Sequence, residues 1–144
     1  MNNGINVNSE IGKLKSVLLH RPGAEVENIT PDTMKQLLFD DIPYLKIAQK
    51  EHDFFAQTLR DNGAETVYIE NLATEVFEKS SETKEEFLSH LLHEAGYRPG
   101  RTYDGLTEYL TSMPTKDMVE KIYAGVRKNE LDIKRTALSD MAGS

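Results

Sequence analysis

The sequence predicts an α/β unit followed by a helical region. Two short apolar runs, residues 16–20 and 65–69, have the composition of strands, and an amphipathic segment lies between them. Beyond residue 72 only helical patterns recur. We therefore expect a βαβ unit in residues 1–72 and a bundle of helices in residues 73–144.

The first strand has clear ends. Residues 16–20 are apolar and are followed by Pro22 and Gly23, which is typical of a strand buried on both faces. Thr30 as N-cap and Pro31 at the first helical position then predict a short helix.

A longer helix is expected from about residue 41 to residue 60, with Pro43 in its first turn. Apolar positions recur in it at three- and four-residue steps: Leu45, Ala48, His52, Phe55, Ala56 and Leu59. Asn62 and Gly63 accept the left-handed conformation that ends a helix, so the second strand follows at once. Two strands make a marginal sheet, so this unit requires further strands as neighbours.

The second half of the sequence contains four amphipathic segments, residues 72–77, 84–95, 102–112 and 116–128. An apolar stripe marks the second of them: Phe87, Leu88, Leu91, Leu92 and Ala95. Thr115 is a plausible N-cap for the last segment.

Composition narrows the classes of function. The net charge of −7 and the scattered basic residues argue against binding to nucleic acid. No apolar run approaches the length of a membrane span, and no secretory signal is recognisable at the start, so we expect a cytoplasmic protein without membrane contact. The absence of cysteine excludes disulfides and cysteine catalysis within these 144 residues.

Histidines and acidic residues supply the candidates for chemistry. His90 and His93 are three residues apart beside Glu94, but a third ligand is missing and a solvated helix flank is the better interpretation. His52 and Asp53 are neighbours on a helix and point about 100° apart. We interpret His52 as a satisfied core histidine, and we predict no metal site.

Asp40 and Asp41 precede Ile42 and Pro43, and two readings remain open for them. They can cap the next helix, whose positive N-terminus favours carboxylates. They can also belong to a loop over a site that binds a cation. Arg21 and Gly23, after the first strand, lie where α/β proteins place functional loops.

Several motifs resemble those of arginine deiminases. The similar segments are residues 9–14 (SEIGKL), 17–23 (VLLHRPG), 37–43 (LLFDDIP), 49–53 (QKEHD), 54–56 (FFA) and 67–72 (VYIENL). The resemblance implies a five-bladed α/β propeller into which helices are inserted after the first blade. Residues 1–72 would be that first blade, of ββαβ type, and residues 73–144 the inserted helical domain.

The resemblance also implies an activity, the hydrolysis of L-arginine to L-citrulline and ammonia in arginine catabolism, by a cysteine nucleophile and a histidine general acid without a cofactor. None of the catalytic residues matches a position in this chain, so we expect the front part of a longer enzyme that is inactive alone. In that family, the loop that matches residues 37–41 folds over the bound arginine. The resemblance therefore makes Leu38 and Phe39 candidates for substrate contact, and Asp40 and Asp41 candidates for ordering the loop. A homo-oligomer is implied as well.

The alternative to part of an arginine deiminase is a non-catalytic interaction module or one half of a split enzyme. Unpaired sheet edges would then drive the association with a partner.

Overall fold

The computed structural model describes residues 7–34, 37, 40–127 and 130–131. Two parallel strands form its sheet, β1 (Ser16–Leu19) and β2 (Glu65–Tyr68). Ser16 lies opposite Glu65, and Leu19 lies opposite Tyr68. The parallel pairing confirms the βαβ arrangement, because both strands run the same way and helices connect them.

Three helices lie between the strands, α1 (Ala24–Glu27), α2 (Pro31–Met34) and α3 (Leu45–Asp61). α2 begins at Pro31, as the sequence predicts. The predicted start of α3 near residue 41 is wrong, because a residue before proline is disfavoured in the helical conformation and Ile42 precedes Pro43. The backbone is still extended at the N-cap Tyr44, and the helix begins at Leu45.

The end of α3 is fixed by Gly63, whose φ of 82° is left-handed. The Gly63 N–H donates to the carbonyl of Arg60 at 2.9 Å, and the Ala64 N–H donates to that of Leu59 at 3.0 Å. This pair of bonds satisfies two of the carbonyls that a helix end leaves free. The sequence therefore predicts this end correctly, and β2 begins at Glu65, two residues after Gly63.

Four helices follow β2: α4 (Ile69–Lys79), α5 (Ser81–Glu94), α6 (Arg101–Thr111) and α7 (Thr115–Ala124). They match the four predicted segments, but α4 begins three residues early, directly after the strand. The predicted division after residue 72 consequently lies inside α4. Pro114, and not Thr115, occupies the N-cap of α7, whereas the Ser80 hydroxyl caps α5 by accepting the Thr83 N–H at 3.1 Å.

The elements from β1 to β2 form what we call the α/β half, and helices α4 to α7 form the helical half. The hydrophobic core lies in the helical half. Its buried cluster contains Phe77, Leu88, Leu110, Met118 and Val119. The rings of Phe77 and Phe87 pack against each other at 4.9 Å. Within described residues 7–72, by contrast, the buried side chains are Ala56 and Ala64. The α/β half therefore contributes little apolar burial of its own.

The sequence predicts that the first strand is buried on both faces, and this prediction is wrong. The side chains of Thr66 and Tyr68 face α3, where Arg60 Nε donates to the Thr66 hydroxyl at 2.9 Å and His52 packs beside the Tyr68 ring. Leu18 lies on the opposite face of the sheet and is 54% exposed. One face of the sheet is thus covered by α3, and the face that carries Leu18 remains open to solvent.

Within the described residues, no helix has both the length and the apolar composition that crossing a bilayer requires.

We predict that Leu88→Ala lowers the free energy of unfolding of the helical half by about 2–5 kcal/mol, because Leu88 is 1% exposed and its truncation leaves a cavity. Urea unfolding followed by far-UV circular dichroism measures this change. The matched control is Leu72→Ala on α4, which is 43% exposed and should cost less than about 1 kcal/mol. Equal losses for the two variants would contradict this location of the core.

Candidate functional site

A cleft of about 470 Å³ opens at the carboxyl edge of the sheet. β1 and β2 are parallel and end at Leu19 and Tyr68, so the residues that follow them converge there, as ligand sites of α/β proteins do. The cleft is lined by residues 20–25, Gln49, Tyr68, Glu70, Asn71, Lys116, Glu120 and Tyr123. It therefore lies between the sheet and helix α7.

His20 is the central side chain of the cleft. Its Nδ1 contacts the carboxylate of Glu70 at the start of α4, and its Nε2 lies 3.1 Å from Oε1 of Glu25 in α1. The same Glu25 oxygen accepts the N–H of Gly23. Because both ring nitrogens face carboxylates, two protons are needed to complete both hydrogen bonds. His20 thus connects the end of β1 to two different helices.

Tyr123 of α7 covers the other side of this contact. Its ring stacks on the His20 ring with the centroids 4.8 Å apart and the planes 23° from parallel. Burial, together with the nearby negative charge of Glu70, raises the pKa of the Tyr123 phenol. The neutral phenol is therefore favoured, and the aromatic stack joins α7 to the sheet edge.

The loop after β1 is held to α3 by two side chains one turn apart. Arg21 donates from Nε and from a terminal nitrogen to the two carboxylate oxygens of Asp53, both at 2.8 Å. The Gln49 amide donates to the Pro22 carbonyl at 2.9 Å. The hydrogen bond from Arg21 lowers the pKa of Asp53, and the bond to Asp53 raises the pKa of Arg21.

Several charged side chains of the cleft have a partner of opposite charge or a histidine beside them within the chain. His20 contacts Glu25 and Glu70, Arg21 pairs with Asp53, and Lys116 lies 3.8 Å from Glu120. The chain has no cysteine, and the hydroxyl groups among the lining side chains belong to tyrosines. This arrangement joins structural elements and lacks an activated nucleophile.

Of the predicted substrate-loop residues, Asp40 and Asp41 are described, and they do not line this cleft. Leu38 and Phe39 lie outside the described residues. Asp40 and Asp41 are exposed, and the Asp41 carboxylate accepts the N–H of Ile42 at 2.7 Å. That bond orders the chain before α3, so it agrees with a local structural role and leaves the loop hypothesis untested.

The other histidines are placed differently. His90, His93 and Glu94 are exposed on α5, and no set of three metal-binding side chains comes together within the described part of the chain. His52 lies against Tyr68 with a ring-centroid distance of 5.8 Å. Its ring is largely buried, as predicted for a core histidine, and Nδ1 lies 3.9 Å from a carboxylate oxygen of Asp53. Neither ring nitrogen has a hydrogen-bond partner among the described residues, so the hydrogen bonding expected of a core histidine is not seen there.

Sequence reasoning missed the contacts of His20 with Glu25, Glu70 and Tyr123. A usable signal existed for one of them, because parallel strands end at the same edge, and His20 ends the first predicted strand while Glu70 follows the second. The sequence held no such signal for Tyr123, because its contact with His20 depends on how helix α7 packs against the edge of the sheet.

Comparison with known proteins identifies a family. A model of the family described as arginine deiminase matches residues 35–144. Arginine deiminases of Lactococcus lactis subsp. cremoris (strain MG1363) and subsp. lactis (strain IL1403) are each 99% identical to this chain over all 144 residues. The arginine deiminase of Latilactobacillus sakei is 61% identical over 142 residues. The chain spans 35% of the length of the two Lactococcus relatives and 34% of the third.

We predict that Asp53→Asn destabilises the chain at neutral pH and that this loss shrinks in acid. The folded-state pKa of Asp53 is lowered, so its ionised form stabilises the fold above the unfolded aspartate pKa of about 3.9. The contribution is lost as the pH falls through the lower, folded-state value. Urea midpoints measured at decreasing pH test this, and a difference that stays constant into acid would contradict it.

The matched control for Asp53 is Glu51→Gln on the same helix. Glu51 is exposed, and no ion pair of it occurs in the described ranges. Its substitution should leave the urea midpoint almost unchanged at neutral pH.

We predict that His52→Phe raises the free energy of unfolding by on the order of 1 kcal/mol, because it keeps a ring beside Tyr68 and removes two unpartnered polar atoms. Thermal or urea unfolding measures the change, and His93→Phe on exposed α5 serves as the control with no gain. A clear loss of stability in the His52 variant would mean that its nitrogens are hydrogen-bonded in solution.

Proposed function

Because this chain belongs to the arginine deiminase family, we propose that it is the amino-terminal portion of an enzyme that hydrolyses L-arginine to L-citrulline and ammonia. The observation that carries the proposal is the 99% identity to two arginine deiminases across the whole chain. An identity this high supports the same role for these residues in the complete protein.

We further propose that residues 1–72 form the first blade of a five-bladed α/β propeller and that residues 73–144 form the inserted helical domain. The parallel pair of β1 and β2, with α3 on one face, suits a blade that lacks its neighbours. The separate core around Leu88 and Met118 suits a helical domain with its own packing.

The chemistry of the proposed enzyme requires groups that these 144 residues do not supply. A cysteine thiolate would attack the guanidinium carbon, a histidine would protonate the leaving ammonia, and water would release citrulline. The chain has no cysteine, so we propose that it is inactive alone. We propose that the complete enzyme uses no cofactor, forms a homo-oligomer and works in the cytoplasm.

The contribution of this chain to the reaction is the substrate loop. Leu38 and Phe39 would pack against the methylenes of arginine, and Asp40 and Asp41 would order the loop in its closed form. Closure would exclude water and strengthen the electrostatic interactions with the guanidinium. The Asp41 bond to the Ile42 N–H supports the ordering role, because it fixes the backbone at the end of the loop.

A second candidate function is one half of a split enzyme, paired with a separately encoded carboxyl-terminal portion. The exposed apolar side chains of the α/β half, Leu18 among them, favour an association of this kind. Intact-mass measurement of the protein in its source cell separates the two, because a species near 16.3 kDa supports the split form and a much heavier one excludes it.

A hybrid enzyme tests the proposed function. The segment of the Lactococcus lactis subsp. cremoris arginine deiminase that corresponds to this chain is replaced by this chain, and citrulline formation from arginine is measured. We expect the kcat and KM of the unmodified relative, and we expect no citrulline from the 144 residues alone. A folded hybrid without activity, or an active isolated chain, would contradict the proposal.

We predict that Leu38→Ala in this hybrid raises the KM for arginine about tenfold or more, since burial of a leucine against an apolar group stabilises by about 1.5–3 kcal/mol and each ~1.4 kcal/mol is a factor of ten. Steady-state kinetics measure the effect. Leu72→Ala, at an exposed position of α4, is the matched control and should leave KM unchanged. Unaltered KM and kcat in the Leu38 variant would remove this residue from the substrate site.

A further inference from the structure

Helix α3 carries an apolar face that no described residue covers. Tyr44 at its N-cap and Ile47, Phe54 and Phe55 within it are 63%, 47%, 77% and 52% exposed. Positions 44, 47 and 54 are three and seven residues apart, and position 55 is eleven residues from position 44, so all four lie along one side of the helix. We call these four side chains the outer face of α3.

The adjacent side of the same helix already packs within the chain. Leu45, Ala48, His52, Ala56 and Leu59 are at least partly buried, and α3 packs against β2 and α1. The apolar surface of α3 is therefore wider than the sheet can cover. Tyr44 and Ile47 lie one turn apart, Phe54 and Phe55 follow about two turns later, and exposed Lys50 and Glu51 lie between the two pairs. Monomeric proteins rarely expose several large apolar side chains close together, so this set indicates a contact surface.

A second uncovered surface lies on the other side of the α/β layer. Leu18 is exposed on the sheet face that α3 does not cover, and parallel sheets are otherwise covered on both faces. A two-fold contact with a second copy would bury one patch against its equal, which accounts for only one of the two surfaces. A longer polypeptide with further strands and helices can cover both.

We propose that the outer face of α3 is a docking surface for the remaining part of the arginine deiminase polypeptide, in the same molecule. This inference rests on the proposed function, and the chain spans 35% of the length of the relatives that are 99% identical to it. The α/β half buries Ala56 and Ala64 among its described residues, so the remainder supplies the apolar contacts that this half lacks.

Thiol labelling tests the proposal, since this chain has no cysteine and Phe54→Cys introduces a single thiol. The substitution is made in the isolated chain and in the hybrid enzyme, and the maleimide labelling rate at position 54 is read by peptide mass spectrometry. We expect labelling about tenfold slower or more in the hybrid, because a covered thiol reacts slowly. Ile47→Cys provides a second position, and Glu86→Cys on exposed α5 is the control with equal rates.

Two results would overturn the proposal. Equal labelling rates in the chain and the hybrid, at both positions, would mean that the remainder does not cover this face. Labelling of the isolated chain that slows as its concentration rises would identify a second copy as the occupant. Citrulline formation is measured on the same hybrid, so protection without activity contradicts only the proposed function, and activity without protection contradicts only the docking surface.

Discussion

Helix α4 begins at the residue after β2 and joins the two halves of the molecule. Glu70 in its first turn contacts His20 at the end of β1, and Phe77 two turns later is part of the buried core. A continuous helix kinks sharply only where its backbone hydrogen bonds are interrupted, so α4 limits how far the sheet edge and the helical core can change their relative orientation. The placement of the cleft depends on this connection.

Contacts to the C-terminal end of α7 support the same orientation. The Asn28 amide donates to the carbonyl of Ala124, and Arg127 donates to the Asn28 side chain, while Tyr123 stacks on His20. Asn28 follows α1, and it lies 96 and 99 positions from Ala124 and Arg127 in the sequence. The cleft consequently lies where the α/β half and the helices meet.

Local signals in the sequence were sufficient to predict most of the helices and strands. Pro31 and Gly63 fixed a helix start and a helix end because each acts through its own backbone. Burial was harder to predict: Phe55 fits the apolar period of α3 yet is 52% exposed, since exposure depends on which elements lie nearby. Glu70 and His20 are fifty residues apart, so only the parallel pairing of the strands brings them together. The candidate substrate residues Leu38 and Phe39 rested on family resemblance alone.

The helical half contains the buried core, and we propose that the α/β half depends on contacts beyond these 144 residues. Hydrogen–deuterium exchange of the isolated chain, resolved by peptide, tests it most directly. Amides of α5 and α7, around Leu88 and Met118, should be strongly protected, and those of β1 and β2 should exchange much faster. Equal protection of the strands and the core helices would contradict the claim.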